Sequence, residues 1–245
     1  MKIIKLNAID STNSFLKEMG QNSTLKNFTV VVTNNQEKGR GQVENKWISK
    51  PFKNLTFSVF TKDFDLEIKD QKYLNFAISL AIFNTLSNYK TPNLSIKWPN
   101  DILSANKKIC GILIENNIKG TKITSSIIGI GLNVNQEKFA DSLKNATSLK
   151  NSTNSKYDYD LDDLLLEIIE NLKNTIHLLS LKKYQELETG YLNVLYKKNI
   201  PSMFKDRNDV LFMGKIIGIS LYGNLQVELE DEIVKEFGLK EISFA

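Results

Sequence analysis

Both tryptophans of the chain stand beside cations and glycines, in two separate segments. The first runs Thr33-Asn34-Asn35-Gln36-Glu37-Lys38-Gly39-Arg40-Gly41-Gln42-Val43-Glu44-Asn45-Lys46-Trp47. Glycines on either side of Arg40 let the backbone and its N–H groups approach a ligand closely. Arg40, Lys38 and Lys46 supply positive charge, and Trp47 offers a flat face for stacking. Such a set suits a ligand with a phosphate and a ring, held by a loop that orders around it. A solvated loop with two turn glycines has the same composition. The second segment is Ile96-Lys97-Trp98-Pro99-Asn100-Asp101-Ile102, followed by Lys107-Lys108-Ile109-Cys110-Gly111-Ile112-Leu113. Pro99 has no N–H for a ladder and ends a strand, which leaves Trp98, Asn100 and Asp101 at a strand end. There Asp101 can offer oxygens to Mg²⁺. Lys108 opens an otherwise buried strand, so its ammonium is expected to point out of the sheet. A Pro-Asn-Asp turn and a snorkelling lysine are plainer readings, but neither accounts for both tryptophans keeping basic, glycine-bearing company. A third string, Gly129-Ile130-Gly131-Leu132-Asn133-Val134-Asn135, does not match GxGxxG, and no Walker A string occurs, so a P-loop nucleotide site is excluded.

The chain has 245 residues, 41% hydrophobic and 24% charged, with a net charge of +4. That is the profile of an ordinary globular protein of one large domain or one with a small appendage. No apolar run approaches the ~20 residues of a membrane span, and MKIIKLNAIDSTN lacks the layout of a signal peptide. Cys110 stands alone, which excludes an internal disulfide and a cysteine zinc site. A single histidine, His177, argues against a Ser-His-Asp site or a His-rich metal site. Of the 32 basic residues only Arg40 and Arg207 are arginines, so an arginine between two glycines stands out.

Periodicity predicts the elements that must carry these segments. Thr12–Gly20 reads as a short helix capped by Ser11 or Asp10. Thr29–Thr33 and Leu55–Thr61 read as strands, separated by about twenty residues to Asn54, a connection usually functional or disordered. Asp70–Tyr89 reads as an amphipathic helix with Leu74, Ala77, Ile78, Ala81, Ile82 and Leu86 on its apolar face. Ser95–Trp98, Ile102–Ser104, Lys108–Glu115 and Ser125–Val134 read as successive strands, with a hairpin turn at Ala105–Lys107. The Ser/Thr/Asn-rich stretch Ala146–Asp158 is the most linker-like in the chain. Beyond it, Leu161–Leu181 reads as a long helix whose Asp160, Asp162 and Asp163 complement the helix dipole. Another helix runs to about Tyr196. From Ile200 onward, short alternating strands with turns at Gly214, Tyr222–Asn224 and Gly238 predict a small β-barrel-like unit. The expected architecture is therefore a large α/β domain followed by a small all-β domain.

Taken in this order, the segments resemble the biotin protein ligases, the biotin–[acetyl-CoA-carboxylase] ligases. The likeness begins at Ile9-Asp10-Ser11-Thr12-Asn13 and continues through Gly39-Arg40-Gly41 and Trp47. It takes in Lys97-Trp98-Pro99-Asn100-Asp101, Lys108-Ile109-Cys110-Gly111-Ile112-Leu113 and Gly129–Asn133, and ends in Gly214-Lys215-Ile216-Ile217-Gly218-Ile219 and Gly223-Asn224-Leu225. It implies an α+β fold, with a class II synthetase-like catalytic domain of mixed sheet and helices over residues 1–198 and a small SH3-like β domain over 199–245.

The resemblance implies that biotin and ATP give biotinyl-5′-adenylate and pyrophosphate. A lysine of a biotin carboxyl carrier protein, part of acetyl-CoA carboxylase or another biotin-dependent carboxylase, then attacks the adenylate. Carried over, Ser11, Thr12, Asn13 and Gln36 line the ureido end of biotin, whose polar groups are costly to bury unpaired. Gly39, Arg40, Gly41 and Gln42 close over biotin's carboxylate and the α-phosphate, with Gly111 also beside biotin. Trp47 stacks near the adenine, Asn133 hydrogen-bonds it, and Asn100 and Asp101 lie near the triphosphate and Mg²⁺, with Asp101 as its protein ligand. Lys108 attracts both the carboxylate and the α-phosphate and stabilises charge that builds up in the transition state. Lys108, Arg40 and Asp101 are thus the expected catalytic set. Asp101 is also a candidate base for the carrier lysine, of which only about one in a thousand is neutral at pH 7.

The chain departs from the family pattern Gly-Arg-Gly-Arg-x-Gly-Arg-x-Trp, with Gln42, Glu44 and Asn45 where Arg, Gly and Arg are frequent. Gln42 brings no charge, which predicts a looser clamp on the adenylate. The biotin motif begins about ten residues from Met1, so a short form without the N-terminal DNA-binding domain is expected. No DNA and no membrane partner is expected, and the cytoplasm is the expected location. Some family members pair sheets edge to edge, which leaves a homodimer open. Lipoate and octanoate ligases have an Arg-rich loop with consecutive glycines that this chain lacks. A biotin- or nucleotide-binding sensor of the same fold would not need Lys108, Arg40 and Asp101 together.

Overall fold

The fold is that of a computed structural model, which describes residues 1–42 and 45–245. Glu44, one of the departures above, lies outside the described residues. The β-branched run at 29–33 forms β2 (Thr29–Gln36), which pairs in parallel with β1 (Lys2–Ile9). The sequence reading leaves β1 unassigned, because its apolar residues alternate with lysine and asparagine on an edge strand. Helix α1 (Thr12–Asn22) makes the crossover, and the Ser11 hydroxyl accepts from the Ser14 N–H as its N-cap. Strands β3 (Leu55–Glu67), β4 (Leu94–Lys97), β5 (Asp101–Ser104), β6 (Lys107–Lys119) and β7 (Lys122–Leu132) complete a seven-stranded mixed sheet. Its order is β1-β2-β3-β7-β6-β5-β4. The hairpin expected at Ala105–Lys107 is present as a two-residue turn, with Ala105 and Asn106 both at positive φ and Lys107 already in β6.

Strand alternation divides this sheet into two faces. Cys110 and Ile112 of β6 and Ile128, Ile130 and Leu132 of β7 join the main core. Helices α2 (Gln71–Asn88), α4 (Leu161–Ser180) and α5 (Tyr184–Asn193) cover that face. The sequence reading gives α2 one apolar face, but Phe76, Ser79, Leu80 and Thr85 are buried as well as the expected residues. It lies between the sheet and the other two helices, so it has no solvent face of any width. The other face of the sheet carries Thr56 and Ser58 of β3, Gly111, Leu113 and Glu115 of β6, and Gly129 and Gly131 of β7. It is covered only in part, by α1, whose Leu16 packs with Leu25 and Val31.

Residues 146–158 are not a linker. They contain α3 (Leu149–Thr153), capped by the Ser148 hydroxyl, and Asn135 holds Tyr159 through its carbonyl and amide groups. Serine and asparagine here satisfy backbone groups rather than keep the chain loose. The expected acidic cap of α4 is formed by Asp160, which accepts from the N–H groups of Asp162 and Asp163.

A second sheet holds β8 (Pro201–Asp206), β9 (Leu211–Ile219), β10 (Leu225–Leu229), β11 (Val234–Phe237) and β12 (Ile242–Phe244). It is antiparallel throughout, in the order β11-β10-β9-β8-β12. Gly214, expected in a turn, lies inside β9 opposite Ser202 and Leu229. A Cβ at this glycine would run into the Val227 side chain, so packing and not chain reversal requires it. Phe204, Ile216, Ile219, Leu225, Val227 and Phe237 belong to the same buried cluster as the first sheet and its helices.

Candidate active site

The partly covered face of the first sheet opens into a cavity of about 460 Å³. Its floor is backbone. The residues Asp101, Gly111, Gly131 and Thr56 stand opposite one another across β5, β6, β7 and β3. The indole of Trp47 lies on this floor, since a Cβ built on Gly131 would land in the ring and one on Gly111 would meet Cζ3 at 3.3 Å. The two middle positions must therefore be glycine for the ring to approach. The Trp47 indole N–H is buried and meets no acceptor among the described residues. A buried donor in that state costs about 1–3 kcal/mol, which a ligand acceptor would recover.

Trp47 arrives on a narrow ribbon formed by the β2–β3 connection. Gly41 N–H donates to Asn45 O at 2.7 Å, Trp47 N–H donates to Gly39 O at 3.0 Å, and Arg40 bridges to Lys46. Arg40 makes a two-pronged contact with Glu115, Nη2 to Oε2 at 2.8 Å and Nη1 to Oε1 at 3.3 Å. Lys38 stays at the base of the ribbon, where a hydrogen bond from its ammonium to Asp10 raises its pKa.

One end of the cavity is lined by the first turn of α1. Gln36 Oε1 accepts from the Thr12 N–H at 2.9 Å and from its hydroxyl at 3.2 Å, which leaves the Gln36 NH₂ group for a ligand. The Ser58 Oγ lies 2.7 Å from Thr12 Oγ1 and 2.5 Å from Asn13 Oδ1, and Asn13 Nδ2 donates to Glu115 at 2.7 Å. Gly129 makes room for the Asn13 amide.

At the other end, Lys108 Nζ lies 2.7 Å from Asp101 Oδ1 and 5.9 Å from the centroid of Trp47. Strict alternation would put Lys108 on the core face with Cys110. A register shift between Ile102 and Leu103 pairs Leu103 with Lys108 and re-aims it across Gly111. Its backbone is clamped, with Lys108 N–H on Asn145 O at 2.7 Å and Thr147 N–H on Lys108 O at 2.9 Å. Neighbouring Cys110 is buried on the core face, and burial pushes its thiol pKa up, so it stays protonated.

The cavity wall thus brings together Ser11, Thr12, Asn13, Gln36, Arg40, Gly41, Gln42, Trp47, Asn100, Asp101, Lys108 and Gly111 of the expected site. Gly39 and Asn133 are not on it. Gly39 instead lets the Gln36 amide and the Trp47 carbonyl approach. Asn133 is 4% exposed and donates to Thr147 O at 3.0 Å, which braces the segment that clamps Lys108. The Asn100 side-chain amide donates to the Ile112 carbonyl and its backbone carbonyl accepts from the Ile112 N–H, so Asn100 shapes the turn as well as lining the cavity.

Sequence reasoning misses Ser58 and Glu115, although both share the strand parity of Thr56 and Gly111. It also misses the far wall, which the second sheet supplies through Phe204, Lys205, Asp206, Leu225, Ser243 and Phe244. Trp98 joins the two parts, its indole N–H donating to Gly223 O at 3.0 Å.

Residues 6–133 match the family described as "Biotin/lipoate A/B protein ligase family". The chain belongs to this family. Among biotin/lipoate ligase relatives, the bifunctional ligase/repressor BirA of Bacillus subtilis is 30% identical over 243 residues, 95% of this chain and 71% of that protein. The biotin–[acetyl-CoA-carboxylase] ligase of Paracoccus denitrificans is 29% identical over 127 residues, 51% of each chain. The solved structure of the Aquifex aeolicus biotin protein ligase in complex with biotin and ATP superposes with a TM-score of 0.80 at 27% identity. It covers 100% of this chain and 98% of that one.

Proposed function

We propose that the protein attaches biotin to a lysine of a biotin carboxyl carrier protein through biotinyl-5′-AMP. One observation carries the reading. A single cavity runs from a buried amide-and-hydroxyl end, past Arg40 and a glycine floor, to Lys108 and Asp101 at its other end. The Gln36 NH₂ group and the Thr12 and Asn13 side chains suit a urea ring, which offers one acceptor and two donors. The Trp47 indole, which rests on the glycine floor and lines the cavity, suits the stacking of a flat ring. Lys108, with Arg40, lies where a carboxylate and an α-phosphate would otherwise repel each other, and the biotin carboxylate oxygen would attack the α-phosphorus there as pyrophosphate leaves. In the second step the carrier ε-amine forms the amide, AMP leaves, and the amine's proton passes to a base, for which Asp101 is the candidate.

Mg²⁺ fits the site as a substrate-borne ion. Among the described residues no three His, Cys, Asp or Glu side chains converge, and Mg²⁺ commonly binds through one carboxylate plus substrate phosphates. Asp101 would be that carboxylate, and the ion would screen the triphosphate charge.

We read residues 1–198 as the catalytic domain and 199–245 as an SH3-like domain that walls the nucleotide end. We read the cytoplasm as the location of this work. No described helix is long and apolar enough to cross a membrane, and the reading gives the chain no DNA partner. A homodimer would use β1, the edge strand of the first sheet, because residues 194–196 already pair with the outer edge of β4 at Ile96.

The test is biotin-dependent release of pyrophosphate from ATP, followed by mass spectrometry of an added carrier domain. Pyrophosphate release without biotin, or with lipoate in its place, would overturn the assignment.

A further inference from the structure

Glu115 lies on the cavity face of β6, two pocket-facing positions beyond Gly111. Its carboxylate is where the two arms of the site meet. Oε2 accepts from Asn13 Nδ2 at 2.7 Å and from Arg40 Nη2 at 2.8 Å, and Oε1 accepts from Arg40 Nη1 at 3.3 Å. Asn13 belongs to the first turn of α1 and Arg40 to the ribbon that carries Trp47. These partners stand 102 and 75 residues away from Glu115 in sequence. The far side of the Asn13 amide is fixed as well, by Ser58 and by the space above Gly129.

The Arg40 and Glu115 side chains are 43% and 27% exposed, and ion pairs of that exposure add little to stability. What the two-pronged contact does provide is orientation, because a planar guanidinium held at both Nη atoms has a defined plane. Its Nε–H and outer Nη hydrogens remain available to an anionic ligand. Asn13 likewise keeps one amide hydrogen free of Glu115. A single carboxylate therefore sets the angle of the anion-binding arm relative to the urea-binding arm.

We infer that Glu115 is a positioning residue for adenylation, gripping Arg40 and Asn13 together so that the guanidinium and the amide keep the relative angle biotin requires. The inference rests on the biotin-ligase reading of the cavity.

Glu115→Gln tests it, because a glutamine carbonyl still accepts from Asn13 while the charge that holds Arg40 is gone. The expected result is a KM for biotin about tenfold higher, or about 1.4 kcal/mol, with a much smaller change in kcat. Trypsin should cut faster after Lys38, Arg40 or Lys46, and Tm should stay the same. Glu115→Asp keeps the charge one methylene further back and should fall between the two. A fall in kcat and Tm with KM for biotin and loop cleavage unchanged would make Glu115 merely structural and overturn the role. Unchanged kinetics and cleavage in Glu115→Gln would overturn it too, while leaving the ligase reading intact. Wild-type protein that releases no biotin-dependent pyrophosphate would overturn both.

Discussion

Replacing Gly131 with alanine puts one methyl group at the centre of the cavity floor. The new carbon would overlap Trp47 Cε2 most closely and stand 2.6 Å from Cζ2 and 2.7 Å from Cδ2. Carbon–carbon contacts settle near 3.5–4.0 Å, so the indole must lift by more than about 1 Å. A displacement of that size in a positioning group costs about a hundredfold in rate, or about 2.7 kcal/mol in kcat/KM. The strand itself is not harmed, since alanine in place of glycine inside a strand recovers roughly 0.5–1 kcal/mol of backbone entropy. Gly131→Ala is therefore expected to lower kcat/KM for pyrophosphate release about a hundredfold while Tm holds or rises, with a shift in tryptophan emission. A companion substitution, Gly20→Ala in α1, places its Cβ 3.5 Å from Leu25 Cδ1, an ordinary contact. It should leave activity unchanged and raise stability by about 0.5–1 kcal/mol. Full activity in Gly131→Ala with unaltered emission would refute the argument, because the floor would then admit a side chain.

Lys108→Ala should abolish adenylate formation, a loss of at least about a hundredfold for a preorganised charge of this kind, and near-normal pyrophosphate release would sink its role. Asp101→Asn should slow transfer from preformed adenylate to the carrier by about a hundredfold, as removal of a general base does. An unchanged single-turnover rate would exclude that role and leave Asp101 as the anchor of Lys108. Gln42→Arg adds a charged fork on the cavity wall and should lengthen adenylate retention through a desalting column. Equal retention in the wild type would remove Gln42 as the cause of a looser clamp.

The short-range features of this fold are legible in the sequence. The caps Ser11 and Asp160, the Ala105–Asn106 turn and the β-branched strand at 29–33 each depend on a few neighbouring residues. Gly214 misleads because the same letter serves a turn and a tight packing site, and only the position of Val227 decides between them. The 146–158 stretch misleads because Ser, Thr and Asn suit both loose chain and capped turns. Lys108 is recognisable as a site residue, yet its direction comes from a register shift with β5 that no local pattern marks. The Arg40–Glu115 contact and the wall from the second sheet depend on distant segments meeting, and proximity of that kind has no signal in composition or spacing.

Phe204 and Leu225 serve two purposes at once, being buried in the common core and standing on the cavity wall. That double duty removes modularity from the second sheet. A gene split between residues 198 and 199 would not yield one working enzyme and one dispensable accessory, because each half would expose the other's core. Change in this sheet is correspondingly constrained, since a substitution that repacks its interior also reshapes the wall of the cavity.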